Sequence, residues 1–240
     1  MEVIEQLIMF GLTRQEATLY MTLLSEGELT GYEAAKKTTI SRSNTYNGLA
    51  GLVEKGAAYI IEGTVTKYTP VSVEEFCNNK LRNLEDSKRK LMKLLPIEKV
   101  ENSGYITIQG EKNVMDKLKT MLVEAKERVY LSVSSSLLPS LEEQLLVLLR
   151  RHIKLVLITD KKVPYDDAIL YLTDKKDQRI RLIVDSKKVL TGEITSPSDT
   201  TCLYSMNDNL VSVFKEMLQN EIILLSSEVH KQIRESKDLN

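Results

Sequence analysis

Ser41-Arg42-Ser43-Asn44, with Tyr46 and Asn47 close behind, gathers a guanidinium, two hydroxyls, two carboxamides and a phenol into two turns of chain. Groups of this kind recognise nucleic acid by hydrogen bonding to base edges, and Arg and Asn form the bidentate pairs that discriminate best. Lys36 and Lys37 precede the segment and Lys67 follows it, each able to meet a backbone phosphate. The implied chemistry is reading of double-stranded DNA. Its candidate residues are Lys36, Lys37, Ser41, Arg42, Ser43, Asn44, Tyr46, Asn47 and Lys67.

The elements that must hold these residues are signalled locally. Thr13-Arg14-Gln15-Glu16 and Thr30-Gly31-Tyr32-Glu33 are capping boxes, in which a Thr and a Glu three residues apart satisfy each other's backbone donors at a helix start. The first opens a helix with Ala17, Tyr20, Met21 and Leu24 as its apolar stripe, and Gly27 ends it. The second launches a short helix through Ala34 and Ala35. Ser41 is suited to cap a third, whose Thr45, Leu49, Leu52 and Val53 share one face and leave Ser43, Asn44 and Asn47 pointing away from the core. After Gly56, residues 57–61 and 64–68 form a hairpin turning at Glu62-Gly63, with Pro70 at its end. Residues 1–10 add a first helix, with Val3, Leu7 and Phe10 toward the core. Residues 1–70 therefore form a winged helix-turn-helix domain, in which the second helix of the pair enters the major groove. Six Lys/Arg against eight Asp/Glu over these residues give no broad basic footprint, so the acidic side chains must lie away from the DNA face. Gly48 and Gly51 each cost about 1 kcal/mol relative to Ala inside a helix. Close approach to DNA and plain tolerance both stay open as reasons.

Gly11-Leu12-Thr13, Glu16-Ala17, Tyr20, then Ser41-Arg42-Ser43-Asn44-Thr45-Tyr46, Leu49, Leu52 and Glu54-Lys55-Gly56 resemble the TrmB family of winged-helix transcription regulators over residues 10–70. Gly48 and Ala57-Ala58 depart from it, standing where the family tends to carry bulkier residues.

Residues 71–96 read as a dimerisation helix. Ser72 and Glu75 open it, and no Gly or Pro follows before Pro96. Cys77, Leu84 and Leu91 repeat every seven residues, and Leu81 and Leu95 bracket Lys88, which makes a short coiled-coil seam of Cys77, Leu81, Leu84, Leu91 and Leu95. A homodimer suits a two-half-site operator; packing of the helix on its own chain is the alternative. From residue 97 to 240 the pattern alternates between strands and helices, as an α/β domain does. Strands are expected at 105–108, 128–133, 153–159, 179–184, 188–194 and 200–205, and helices at 111–125, 139–150, 166–172 and from 209, with a polar, frayed tail over 235–240. The fold class is thus α+β to α/β: a winged helix-turn-helix, a coiled-coil helix, and a C-terminal α/β domain.

Arg128 to Ser134, Ile153 to Asp160, and Leu182 to Asp185 followed by Val189 to Gly192 resemble the phospholipase-D-like domain found behind the winged helix in many TrmB-type regulators. Active enzymes of that fold use His-x-Lys-x-x-x-x-Asp. Setting Asp185 at the motif's Asp puts Gln178 where the His belongs and Ile180 where the Lys belongs, so nucleophile and phosphate clamp are missing. His152-Ile153-Lys154 is followed by Asp160, one residue too far. No catalytic residue is expected. The resemblance implies a sensor for a small-molecule effector, with Ser132, Ser134, Ser135, Asp160 and Thr191 as candidates near strand ends. The chain is expected to end before the further C-terminal sugar-binding region of longer members of that family, so a sugar is not carried over to it.

Composition agrees with these expectations. The 240 residues suffice for two small cores, and the net charge of −1 gives no global pull toward nucleic acid or membrane. Two separated cysteines, Cys77 and Cys202, make neither a disulfide framework nor a zinc pattern, so no metal or other cofactor is expected. Residues 1–10 match neither a signal peptide nor a membrane span, and a cytoplasmic location is expected. Three functions stay open: a homodimeric, effector-responsive transcription regulator, a phospholipase-D-like phosphodiesterase, and a ligand-blind DNA-binding or adaptor protein.

Overall fold

The computed structural model describes residues 2–95, 104–174, 178–195 and 199–237, with side chains as far as Ser226. The chain divides into two compact units, Met1–Lys99 and Val100–Asn240. The boundary expected at residues 96–97 lies outside the described residues.

In the first unit, α1 (Glu2–Met9) leads into α2 (Arg14–Glu26). The Thr13 hydroxyl accepts from the Glu16 N–H at 3.2 Å, and the Glu16 carboxylate accepts from the Thr13 N–H at 2.6 Å. Thr30 and Glu33 repeat the arrangement at α3 (Gly31–Lys37). The buried stripe of α2 is Ala17, Leu19, Tyr20 and Leu23, whereas Met21 and Leu24, expected inside, are exposed. The shift arises because α2 is packed from two sides, by α1 and by α4 (Arg42–Glu54). On α1 Leu7 is buried and Phe10, just past its end, is half-buried, but Val3 faces outward and Ile4 takes its place.

Thr45, Leu49 and Leu52 of α4 are buried, and the two glycines of this helix find their reason against α2. A Cβ at Gly48 would stand 2.5 Å from Cδ1 of Leu19, and one at Gly51 would overlap the Glu16 carboxylate. They permit close approach of two helices, not of a helix to DNA. The wing is β2 (Ala58–Ile61) paired antiparallel with β3 (Lys67–Pro70), from Ala58 opposite Pro70 to Ile61 opposite Lys67. Its second strand thus starts at Lys67 rather than Thr64, leaving a longer exposed loop. A two-residue strand absent from the sequence reading, β1 (Leu29–Thr30), pairs with β3 and completes the order β1-β3-β2. Finally α5 (Val73–Leu94) starts at Ser72, whose hydroxyl accepts from the Glu75 N–H at 3.2 Å.

The second unit is a seven-stranded sheet. Its strands are β4 (Tyr105–Gln109), β5 (Arg128–Ser132), β6 (Lys154–Thr159), β7 (Ile169–Leu172), β8 (Arg179–Val184), β9 (Lys188–Glu193) and β10 (Thr201–Ser205), in the order β4-β10-β9-β8-β5-β6-β7. β5, β6 and β7 run parallel and the remaining pairs antiparallel. Residues 169–172 were expected in a helix and are instead β7. Parallel pairing with β6 from Val156 to Thr159 overrides the local pattern. One face carries α6 (Glu111–Glu124), a 3₁₀ turn at Leu138–Leu141 and α7 (Glu142–Arg150), with Val114, Leu118, Met121, Leu122, Leu141, Leu145 and Leu148 all buried. The other face is covered by α8 (Asp208–Lys237) through Val211, Phe214 and Leu218 against Ile158, Ile183 and Val189. The helix extends through residues 235–237 of the expected tail; 238–240 lie outside the described residues. β6 is buried on both faces after Lys154, as its unbroken apolar run implied. Asp185 and Ser186, both at positive φ (51° and 55°), form the turn between β8 and β9.

Two substitutions test this packing. Gly48→Ala gains helix propensity but drives a methyl into Leu19, which is fully buried, so a net loss of about 1–2 kcal/mol is expected; an unfolding midpoint equal to or above the parent's would show that the α2–α4 contact has slack. His152, exposed at the end of α7 with φ of 54°, holds a left-handed conformation that glycine adopts freely. His152→Gly is therefore expected to raise stability by about 0.5–1 kcal/mol, and a lowered denaturant midpoint would mean that the imidazole makes an interaction of its own.

Candidate nucleic-acid interface

The residues singled out for DNA converge on the start of α4. Ser41 caps the helix, its hydroxyl accepting from the Asn44 N–H at 3.4 Å, so that this side chain is partly engaged in building the element. Arg42, Ser43, Asn44, Tyr46 and Asn47 are exposed. The helix beneath them is held by Thr45, fully buried, whose hydroxyl donates to the Ser41 carbonyl at 3.0 Å. Tyr46 lies over Gly31, where a Cβ would overlap the ring. The Arg42 guanidinium carbon stands 4.6 Å from the centre of the Tyr32 ring, a cation–π contact that narrows the directions available to this side chain. Tyr32 was missed in the sequence; its signal is an aromatic in the first turn of α3, visible only once α3 and α4 are set side by side.

The charges around this surface differ from expectation. Lys36 is exposed, but Lys37 pairs with Glu26 at 2.7 Å and Lys67 with Glu28 at 3.7 Å. The acidic residues are thus beside the cations, not elsewhere. The reason is the short connection from α2 to β1, which carries Glu26 and Glu28 to the same edge as the end of α3 and the start of β3. All four side chains are roughly half exposed, so these pairs are weak and exchangeable. The Glu33 carboxyl is held below the usual range, first by the Thr30 N–H and its hydroxyl.

Along α5 the seam residues separate into two groups. Cys77 is partly buried against the winged-helix core, and burial pushes its thiol pKa up. Leu81, Leu84 and Leu91 are each more than half exposed, and Leu95 stands at the C-cap just beyond the helix. Of the residues expected in a seam, those left exposed therefore start at Leu81, because the first turn of α5, with Phe76 fully buried, packs into its own unit.

In the second unit the effector candidates fall into two places. Asp160 at the end of β6 accepts from the Ser135 N–H at 2.6 Å and from the hydroxyls of Ser135 and Ser134 at 3.2 and 3.4 Å. Those bonds, the Ser135 N–H foremost, hold its pKa below the ordinary carboxylate value. Ser135 and Asp160 thus satisfy each other. Ser132 and Ser134 line a cleft with Thr173, Arg179, Arg181 and Glu221, and Thr191 lies opposite Arg181 on β9. The two arginines and Glu221 were missed. The alternation Arg179-Ile180-Arg181-Leu182 held the signal, a period of two that places both cations on one face of β8.

Of positions 178, 180 and 185, only the last carries the residue of the His-x-Lys-x-x-x-x-Asp motif. Asp185 accepts from the N–H groups of Lys126, Glu127 and Arg128; burial pushes its pKa up, but these three donors outweigh that and bring it below the ordinary value. Gln178 is exposed and Ile180 is buried on the apolar face, so nothing replaces the Lys. The His152 segment is the turn from α7 into β6. Among the described residues no group of His, Cys, Asp and Glu could hold a metal ion, and no helix is long and apolar enough to cross a membrane.

The family model of the sugar-specific transcriptional regulator TrmB matches residues 7–74, and that of the EBD N-terminal subdomain of transcriptional regulator TrmB matches residues 104–229. The uncharacterized protein YrhO of Bacillus subtilis is 26% identical over 93% of this chain and 84% of its own length. The HTH-type sugar sensing transcriptional regulator TrmBL1 of Pyrococcus furiosus is 25% identical over 73% of this chain and 51% of its own, so the chain spans about half of that relative. Among solved structures, Nuc of Salmonella typhimurium, a phospholipase D family member, covers 49% of this chain and 93% of its own at 17% identity and a TM-score of 0.38, too low to carry an assignment alone. The two family matches fall on the two units in turn, and the second takes in more than half of the chain: the protein belongs to the TrmB family of transcriptional regulators.

Proposed function

We propose that the protein is a homodimeric regulator that inserts α4 into the major groove of an operator half-site and responds to a small effector through its second unit. The observation that carries this reading is the outer surface of α4. Arg42, Ser43, Asn44 and Asn47 are exposed together on a helix whose opposite side is locked by Thr45, Leu49 and Leu52. Arg42 and Asn47 are the side chains best suited to base edges, while Lys36, Lys37 and Lys67 serve phosphates, the last two by leaving Glu26 and Glu28. Pairing of two copies along Leu81, Leu84 and Leu91 places two such helices on one duplex and multiplies their affinities. The family is one of regulators, and the phosphodiesterase alternative lacks the His and Lys of its motif. A cytoplasmic location is proposed on the same grounds.

The deciding experiment is binding of the full chain to the DNA upstream of its own coding region, with a shuffled duplex as control, at two salt concentrations. Arg42→Ala or Asn47→Ala is expected to weaken binding to the upstream DNA about tenfold or more, the value of a bidentate base contact, while leaving the melting midpoint unchanged. Variants that bind as the parent does would remove α4 from the interface and favour the adaptor reading. A second outcome concerns charge: Glu26→Gln combined with Glu28→Gln is expected to tighten binding to both duplexes several-fold at low salt and to lose that advantage at high salt. Unchanged affinity at low salt would place Lys37 and Lys67 away from the phosphates.

A further inference from the structure

Arg181 sits midway along β8 on the face covered by α8, opposite Ser132 of β5 and Thr191 of β9. The same face elsewhere packs Ile158, Ile183 and Val189 against Val211 and Leu218. Its Nη1 donates to Oε2 of Glu221 at 3.0 Å, and both side chains are 16% exposed. A largely buried ion pair is a poor way to fasten a helix to a sheet, because desolvation of the two charges offsets most of their attraction and an apolar pair does as well or better. Here the pair lies against a polar cleft that continues through Ser132, Ser134, Thr173 and Arg179, at the carboxyl ends of the parallel strands. A guanidinium fork matches the geometry of a carboxylate or phosphate. With Glu221 in place the cleft holds little more than a water molecule. Asp160 borders it but is committed to Ser135, and Glu193 lies opposite Arg179. An incoming anion must therefore replace Glu221.

We propose that this cleft binds a small oxyanion, the phosphate or carboxylate group of an effector, with Arg181 and Arg179 as its cations, the hydroxyls of Ser132, Ser134 and Thr173 as further donors, and Glu221 as an internal carboxylate that occupies Arg181 until the ligand displaces it. Displacement removes a polar hold of α8 on the sheet. This rests on the reading of the second unit as a sensor, and names the ligand class and the group it competes with.

The test uses the full chain with inorganic phosphate and, separately, succinate as probes, against chloride at matched ionic strength, read by isothermal titration and thermal unfolding. Glu221→Gln is expected to bind one of the two probes at least tenfold more tightly than the parent, and to recover with that probe, but not with chloride, the melting temperature it loses without it. Which probe does so separates a phosphate from a carboxylate ligand. Arg181→Gln is expected to bind neither. Arg179→Gln, at an exposed position, is expected to weaken binding of the same probe. A folded Glu221→Gln that gains nothing from either probe overturns the site, as does an Arg179→Gln chain that binds like the parent. DNA affinity measured with and without the bound probe keeps the two ideas apart: anion binding that leaves DNA affinity unchanged supports the site and counts against the sensor reading.

Discussion

A single buried hydrogen bond, 2.7 Å from the Tyr20 hydroxyl to the Val71 carbonyl, ties the centre of α2 to the residue pair that launches α5. Tyr20 is fully buried, and leaving its phenol unpaired there would cost about 1–3 kcal/mol. Burial, with a smaller contribution from Cys77, pushes its pKa up to about 12, so it remains a neutral donor at ordinary pH. Its ring lies 5.7 Å from that of Phe76, and Phe76 lies 6.3 Å from Phe10. The first turn of α5 is therefore part of the same core that supports α4. The contact of α4 with α2 is fixed in turn by the absence of side chains at Gly48 and Gly51 and by Glu16, which caps α2 and accepts from Lys55 at 2.6 Å. The start of α5 and the inner side of α4 thus share one core, through Phe76 on the one and Leu49 and Leu52 on the other.

The second unit uses its carboxylates differently from one another. Asp185 and Asp160 are satisfied by backbone N–H groups at strand ends and stabilise the geometry of the loops they sit in. Glu221 reaches instead for a guanidinium on the covered face of the sheet. The first kind of contact rests on main-chain donors, joined at Asp160 by the hydroxyls of Ser134 and Ser135. The second has an exchangeable partner. Gln178 and Ile180 stand where a His-x-Lys-x-x-x-x-Asp motif ending at Asp185 would have its His and Lys, and a polar cleft lies between β8 and α8.

What the sequence revealed is what local chemistry decides. The capping boxes at Thr13 and Thr30, the cap at Ser41 and the outward face of α4 are complete within four to seven consecutive residues, and each stands as read. The misreadings share a nonlocal cause. Met21 and Leu24 were placed inside because one stripe was assumed where α2 has two neighbours. Residues 169–172 gave a helix-like pattern until β6 supplied a partner. The use of Gly48 lies in Leu19, and the attachment of Lys67 lies in Glu28, neither of which spacing along the chain connects. Arg181 was visible as an alternation, but Glu221 on a distant helix was not.

The turn at Asp185-Ser186 carries a kinetic meaning. Two successive left-handed residues reverse the chain within a hairpin whose strands, β8 and β9, are paired over their whole lengths by contacts close in sequence, and β10 follows on the same side. Contacts of this kind close small loops and form early. The Asp185 carboxylate accepts from the amides of residues 126–128, nearly sixty positions back, where β5 lies beside β8. The parallel strands β6 and β7 join beyond β5, each after its own crossover. β8, β9 and β10 are thus the part of the sheet built from contacts close in sequence, and the Asp185 turn is where that part is tied by hydrogen bonds to the entry of β5.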